Sequence, residues 1–186
     1  MSSPINLNLK PVRNLYKLIA SVVSPNDFTV TALNGSSIPL YNVTDDFENS
    51  HAIKPAGVEY VKFRLGNSET PVYSPDRHDV QSPIYESSLL FNTLIVNTSV
   101  NDDTGETEVE VRQVIQNNGD SDITITEVGL VMRIAYRVSI SSTTINVTTD
   151  DILIAYGIPD SPITISAGQS YEFIARIRVA PTVPSQ

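Results

Sequence analysis

The chain has 186 residues, of which 40% are hydrophobic and 18% charged, and it contains no cysteine and no tryptophan. This length suits one domain with a core of its own. Without cysteine, disulfides and thiolate metal sites are excluded, so burial and hydrogen bonds must hold the fold. The many Thr, Ser, Ile and Val residues are typical of pleated sheets and favour an all-β class.

The net charge of −9 is unevenly distributed. Residues 1–26 carry three bases and no acid, residues 27–129 seventeen acids against five bases, and residues 130–186 four of each. An acidic centre repels phosphate backbones, which argues against nucleic-acid binding by the body of the protein. No apolar run approaches the roughly 20 residues of a membrane span and no clean signal-peptide core opens the chain, so we expect a soluble protein made in the cytoplasm.

The basic N-terminal segment contains a helical pattern. Between Val12 and Val23 apolar residues recur at helical spacing, and Ser24-Pro25 ends the pattern. It predicts an amphipathic helix in an N-terminal arm, residues 1–23, that reaches onto a partner; the alternative is a first strand or a helix packed on its own domain. The residues expected to contact that partner are Lys10, Arg13, Leu15, Tyr16, Lys17 and Ile19.

A hairpin is predicted next. Two apolar stretches, Phe28–Leu33 and Ile38–Val43, flank Asn34-Gly35, a pair that favours the positive φ angles of a type I′ turn. Three further segments follow in chain order: a linker-like stretch from Thr44 to Pro55, a strand from Glu59 to Leu65, and a polar, proline-bearing loop from Gly66 to Pro83.

A dense apolar run extends from Ser88 to Val100. Because a continuous apolar run is typical of a strand buried on both faces, we predict a central strand here. The sequence from Asn101 to Gly105 is rich in turn residues and predicts a reversal of the chain.

Alternation is clearest in the C-terminal half. Apolar residues occupy odd positions up to Ile125, and from Val128 to Ile140 they occupy even ones. An inserted residue would produce such a change of phase, so we predict a β-bulge near Thr126 to Gly129. The strand from Val128 to Ile140 would span about 40 Å at ~3.3 Å per residue, long enough to bend from one sheet to another.

The remaining pattern predicts two strands around Ile145–Val147 and Ile152–Tyr156, and then a closing hairpin of Ile163–Ile165 and Tyr171–Val179. About nine or ten strands separated by turn signals are typical of an antiparallel β-sandwich, immunoglobulin-like or jelly-roll-like. We expect that sandwich to occupy residues 24–180, followed by a tail over 181–186.

Residues with catalytic or metal-binding chemistry are sparse. The two histidines are His51 and His78, and His78 lies in an Asp-Arg-His-Asp cluster that is typical of a solvated loop. Asp102, Asp103 and Glu106 surround Gly105 in a turn, which turn chemistry explains better than calcium binding. The same holds for Asp45-Asp46 and Thr149-Asp150-Asp151. We expect no enzyme activity, no cofactor and no metal.

Glu127 continues the odd-numbered, inward phase of Ile123 and Ile125. A carboxylate at that position needs a partner if it is buried, and Arg112 and Arg133 are the candidate partners. The alternative is that Glu127 points outward. In either case Glu127 is interpreted as a structural residue.

Three stretches together carry a resemblance. They are Val61-Lys-Phe-Arg-Leu-Gly66 followed by Glu69-Thr-Pro71 and Ser74-Pro-Asp-Arg77; residues 116–130, which end in Glu-Val-Gly-Leu; and residues 161–171, Ser-Pro-Ile-Thr-Ile-Ser-Ala-Gly-Gln-Ser-Tyr. Their strand-and-turn patterns resemble those of small virion structural proteins of tailed bacteriophages, over roughly residues 60 to 179.

This resemblance implies a virion protein with a β-sandwich body that is made in the host cytoplasm. The leading hypothesis is an auxiliary protein that decorates the capsid in many copies or as a homo-oligomer, and contacts the major capsid, portal or tail proteins. The alternatives are a ring or fibre-base component of the neck or tail, and a carbohydrate-binding adhesin module whose site is the loop from Gly66 to Pro83.

Overall fold

The computed structural model describes residues 4–23, 28–40, 54–55, 61–141 and 144–179. Within these ranges the chain is mostly β-strand and has one α-helix, which confirms the predicted all-β class. The elements are β1 (Ile5–Pro11), α1 (Arg13–Val23), β2 (Phe28–Thr31), β3 (Ser37–Leu40), β4 (Lys54–Pro55), β5 (Val61–Gly66), β6 (Leu89–Val100), β7 (Thr107–Asn117), β8 (Ile123–Ile125), β9 (Glu127–Ser141), β10 (Thr144–Gly157), β11 (Ile163–Ile165) and β12 (Ser170–Val179).

The main sheet runs in the order β9, β10, β1, β12, β7, β6, with β4 and β5 on the outer side of β9. Its two halves meet at β1, which pairs in parallel with β12 over Ile5–Leu9 and antiparallel with β10 over Lys10–Pro11. A strand that changes partners in this way turns a corner between two packed sheet halves. The sheet is so strongly curved that strands from its opposite ends approach each other. The Phe63 N–H of β5 donates to Gln113 Oε1 of β7 at 3.4 Å.

The core lies between these two halves. The rings of Phe63 and Phe173 pack at 5.8 Å between centroids, and both side chains are fully buried. A second, smaller cluster lies on the other face of β9 and β10, where Val131, Leu153 and Tyr156 are buried. Strands β9 and β10 are therefore covered on both faces in this region, as buried strands require.

The N-terminal segment is part of the body and not a projecting arm. Leu7 and Leu9 of β1 are buried in the core, so residues 5–11 form an inner strand, as the alternative interpretation held. The predicted helix is confirmed as α1. Its Asn14 side chain is buried and donates to Thr31 O at 2.8 Å and Leu153 O at 3.2 Å, which fixes α1 to the β2–β3 hairpin and to β10.

The predicted β2–β3 hairpin is confirmed, with Gly35 at φ +83° in its turn. The predicted strand Glu59–Leu65 corresponds to β5. Of the linker-like stretch, only β4 falls within the described residues.

The long strand is confirmed, but the bulge predicted at Thr126 to Gly129 is wrong. The change of phase falls at Thr126, where the chain leaves β8 for β9, and β9 pairs with β5 without a register shift. A register shift occurs one strand away, in β10 between Leu153 and Ala155. The two strands predicted for residues 145–156 form the single strand β10.

The predicted closing hairpin is also wrong. Strand β11 pairs with β8 in a small separate sheet, whereas β12 pairs with β7 and β1. The chain turns between β7 and β8 and again between β11 and β12, and the fully buried Asn117 links these two turns. The Asn117 side chain donates to Ser121 O at 2.8 Å and Ile165 O at 2.9 Å, and the Asn117 backbone carbonyl accepts from Gly168 N at 2.9 Å.

Candidate interaction surface

Strand β6 forms one end of the main sheet. Among the described strands it pairs with β7 alone, so the prediction of a central strand covered on both faces is wrong. Its twelve residues contain no charge and no proline. Natural edge strands are usually protected by charged residues, proline or a cover, because an exposed edge offers unpaired backbone groups to another chain.

Several apolar side chains of β6 are exposed. They are Leu90, Ile95, Val96 and Val100, of which Ile95 is 52% and Val100 58% exposed. Tyr85, four residues before the strand, is 84% exposed. Exposed apolar side chains gathered along one sheet edge are typical of a protein–protein contact.

A bulge divides β6 into two halves. Phe91 lies opposite Ile115 and Leu94 opposite Gln113, so residues 92 and 93 face one residue of β7. The Gln113 side chain fills the bulge by donating to Asn92 O at 2.9 Å, and it also accepts from β5. The first half of β6 is thereby linked to β5 through the Gln113 side chain. The second half, Leu94–Val100, has no second strand beside it among the described residues, and we call it the free edge.

The backbone groups of the free edge can be assigned from the turn that follows it. Asn101 N donates to Glu106 O at 2.8 Å, and hydrogen-bonded and non-bonded pairs alternate along an antiparallel ladder. The N–H and C=O groups of Ile95, Asn97 and Ser99 therefore face β7. Those of Leu94, Val96, Thr98 and Val100 point away from β7.

The charged residues beside the free edge balance one another. On the outer face, Arg112 bonds Glu110 at 2.7 Å, Arg176 bonds Glu110 at 2.8 Å, and Arg178 bonds Glu108 at 2.7 Å. The hydrogen bond from Arg112 holds the pKa of Glu110 below its ordinary value. With Glu106, 3.6 Å from Arg178, these three acids and three bases form a neutral patch on a chain of net charge −9.

The loop from Gly66 to Pro83 is pinned to the sheet by Glu127. This carboxylate is fully buried and accepts from Ser82 N at 2.8 Å, Gln81 N at 2.9 Å and the Tyr156 hydroxyl at 2.8 Å. Burial and the hydrogen bond to this carboxylate raise the pKa of Tyr156. The interpretation of Glu127 as inward-facing and structural fits this geometry.

The two arginines expected to pair with Glu127 do not do so. Arg112 bonds Glu110, and Arg133 bonds Asp151 at 2.7 Å. The loop backbone and a tyrosine hydroxyl take their place, which no spacing in the sequence indicates. Gly66 leaves room for the carboxylate, since a Cβ there would lie 2.5 Å from Glu127 Oε1.

The cationic residues predicted to contact a partner are engaged within the chain. Lys10 Nζ lies 5.1 Å from the centroid of the Tyr73 ring, Arg13 bonds Asp76 at 2.7 Å, and Lys17 donates to Thr29 O. Of the predicted apolar contacts, Leu15 packs on the core, whereas Tyr16 and Ile19 are about half exposed, at 52% and 48%. The structure therefore leaves two apolar side chains of this set about half exposed and engages all three of its cations within the chain.

Acidic turns are held by their own hydrogen bonds. Asn101 Oδ1 accepts from Asp103 N at 3.0 Å and Thr104 N at 3.2 Å, and Gly105 adopts φ +68°. The interpretation of Thr149-Asp150-Asp151 as a turn is wrong, because these residues lie within strand β10, where Asp151 bonds Arg133 and lies 3.5 Å from Lys62. Within the described ranges no three His, Asp or Glu side chains are grouped to hold a metal ion. His51 and Asp45-Asp46 lie outside these ranges.

No family model, curated protein or solved structure matches the chain. In the part of the chain that the structure describes, no helix is long and apolar enough to span a membrane.

Proposed function

We propose that the chain is a structural protein of a virus particle, in the first instance an auxiliary protein of a tailed-phage head, that acts by repeated contacts with copies of itself and with other virion proteins. Two independent features support this proposal. One is the free edge Leu94–Val100, and the other is the resemblance carried by residues 60–179.

The free edge is the observation that carries the assembly role. It combines exposed apolar side chains, no charge, and backbone groups that pair with no second strand among the described residues. Pairing along a sheet edge supplies main-chain hydrogen bonds, and repetition over a particle multiplies modest contacts into stable attachment.

A carbohydrate-binding role receives less support from the loop between Gly66 and Pro83. Sugar sites use exposed aromatic faces, and within that loop the aromatic residue is Tyr73. Lys10 Nζ lies 5.1 Å from the centroid of its ring, the ring of Tyr156 lies 6.4 Å away, and its hydroxyl donates to Pro11 O at 3.0 Å. The ring and the hydroxyl of Tyr73 therefore already make contacts within the molecule.

The test is fractionation of purified particles into heads and tails, followed by detection of this chain. We expect it in the head fraction in many copies. Recovery in the tail or neck fraction would favour the ring or fibre-base alternative, and absence from both would refute the virion proposal.

A Val96→Lys variant tests whether the free edge is needed for incorporation. Val96 is 44% exposed and lies on the inward face opposite the buried Val111. A lysine there would have to be desolvated when a further strand pairs with β6, so it should lower the amount of chain per particle. Ile158→Lys is the matched control, since Ile158 is 41% exposed and lies in the loop after β10. Equal incorporation of the two variants would exclude the edge as the contact.

A further inference from the structure

We infer that the free edge Leu94–Val100 binds the same segment of a second copy of this chain, antiparallel, about a two-fold axis at Asn97. The inference deepens the proposed function and rests on it, since it names the partner of the assembly surface. It would join the two main sheets into one continuous sheet.

The first argument comes from the inward-facing side chains. Val96 lies opposite Val111 of β7, which is 2% exposed, yet Val96 itself is 44% exposed. Val100 lies on the same face and is 58% exposed. A further strand beside β6 would extend this face and remove both valines from water.

The second argument comes from the backbone. A two-fold axis at Asn97 places Leu94 opposite Val100 of the second copy and Val96 opposite its Thr98. These are the four residues whose N–H and C=O groups point away from β7, so every one of them meets a partner. The same patch serves both copies, as a two-fold contact requires.

The third argument is charge, and it favours a second copy over an unrelated strand. Along β7, Glu108, Glu110 and Arg112 lie opposite Ser99, Asn97 and Ile95 in that order. Reversal about the axis puts Arg112 of one copy in the row of Glu108 of the other, with three strand spacings, about 14 Å, between their backbones. Two of the three rows thus hold unlike charges. The middle row holds Glu110 of both copies, each bonded to Arg112 and Arg176 of its own chain, and the neutral patch lets two chains of net charge −9 approach here.

Cross-linking tests the axis directly, because the chain has no cysteine of its own. At the axis, Asn97 meets Asn97 of the second copy in a non-bonded pair, where Cα atoms lie about 4.5 Å apart, within reach of a disulfide. We expect Asn97→Cys to give a covalent dimer on mild oxidation. Ser99→Cys, on the same strand but displaced from the axis, should remain non-covalent; cross-linking through Ser99→Cys instead would overturn the inference.

Solution mass tests the pairing without a cross-link. Thr98→Pro removes a backbone N–H that points away from β7, so it leaves the β6–β7 ladder intact and blocks the outer one. We expect the wild-type chain and Thr98→Ala to have twice the mass of one chain by light scattering, and Thr98→Pro to have half of that value. Circular dichroism and thermal unfolding establish that the variants fold, and Val96→Lys, which places a charge on the inward face, provides a second disruption that keeps every N–H.

The outcomes separate this inference from the proposed function. A monomeric wild-type chain refutes self-pairing, even if particles contain it. A monomer that loses incorporation on Thr98→Pro would show that the edge binds a different protein, which also overturns the inference. A dimer that is absent from particles would leave self-pairing standing and refute the virion role.

Discussion

Single polar residues hold the elements of this chain together at positions where hydrophobic contact alone cannot. Glu127 ties a long loop to the sheet, Asn14 ties the helix to two strands, and Asn117 ties two turns to one corner. All three are buried, and each satisfies backbone groups that would otherwise lack partners. Loss of one such side chain leaves several buried groups unpaired at once.

The hydroxyl of Tyr156 tests this at the residue scale. Tyr156→Phe removes a hydrogen bond to a buried carboxylate, and we expect the free energy of unfolding to fall by about 1.5–3 kcal/mol, the range for bonds to charged groups. Urea denaturation measures it. Tyr85→Phe removes the hydroxyl of a residue that is 84% exposed and should stay within about 0.5 kcal/mol of wild type. Equal stability of both variants would mean that Glu127 finds another donor.

At the scale of the element, β6 shows why its environment could not be predicted from sequence. A continuous apolar run is expected both for a strand buried on two faces and for one that awaits a partner, since neither needs a polar face. The bulge at residues 92 and 93 further hides the alternation. The absence of charge over twelve residues is the signal that could have raised the second interpretation.

Hydrogen exchange along β6 should distinguish the two sides of the strand. In a monomeric variant such as Val96→Lys, we expect the amides of Asn97 and Ser99 to be protected by β7, and those of residues 96, 98 and 100 to exchange fast. In the self-paired wild type all five should be protected. Uniform fast exchange in both samples would contradict the assigned ladder.

Other elements show which structural features a local sequence pattern can predict and which it cannot. Asn34-Gly35 located the first hairpin and helical spacing located α1, because turn chemistry and periodicity are local properties. The pairing of β8 with β11 and of β7 with β12 joins segments far apart in sequence, and a corner at Asn117 is what separates the two pairs. No local pattern encodes that choice, so the predicted closing hairpin failed. The polar anchors of Glu127 were missed for the same reason.

For the whole molecule, acid should unfold the chain partly through Asp151. Burial raises the pKa of Asp151, but the hydrogen bond from Arg133 and the charge of Lys62 outweigh this, and its pKa lies below its ordinary value. A lowered pKa contributes stability above the unfolded-state value, and this contribution is lost as the pH falls through the folded-state value.

We therefore expect Asp151→Asn to lose less stability than wild type between about pH 5 and pH 2. Unfolding free energies at a series of pH values measure this difference. Asp102→Asn removes one exposed carboxylate from a turn and serves as the control for the change in net charge. An identical acid profile for Asp151→Asn and wild type would show that the Arg133 and Lys62 contacts do not persist in solution.

The pairing of β1 with β12 has a consequence for how the chain comes off the ribosome. Ile5 lies opposite Phe173, so β1 can complete its pairing only after β12 has been synthesised. Until then β1 lacks one neighbour, and the two halves of the main sheet are not joined. Because these contacts are distant in sequence, the sheet closes late and we expect slow folding. Strand β7 also pairs with β12, so the sheet beside the free edge is complete only when β12 has packed against it.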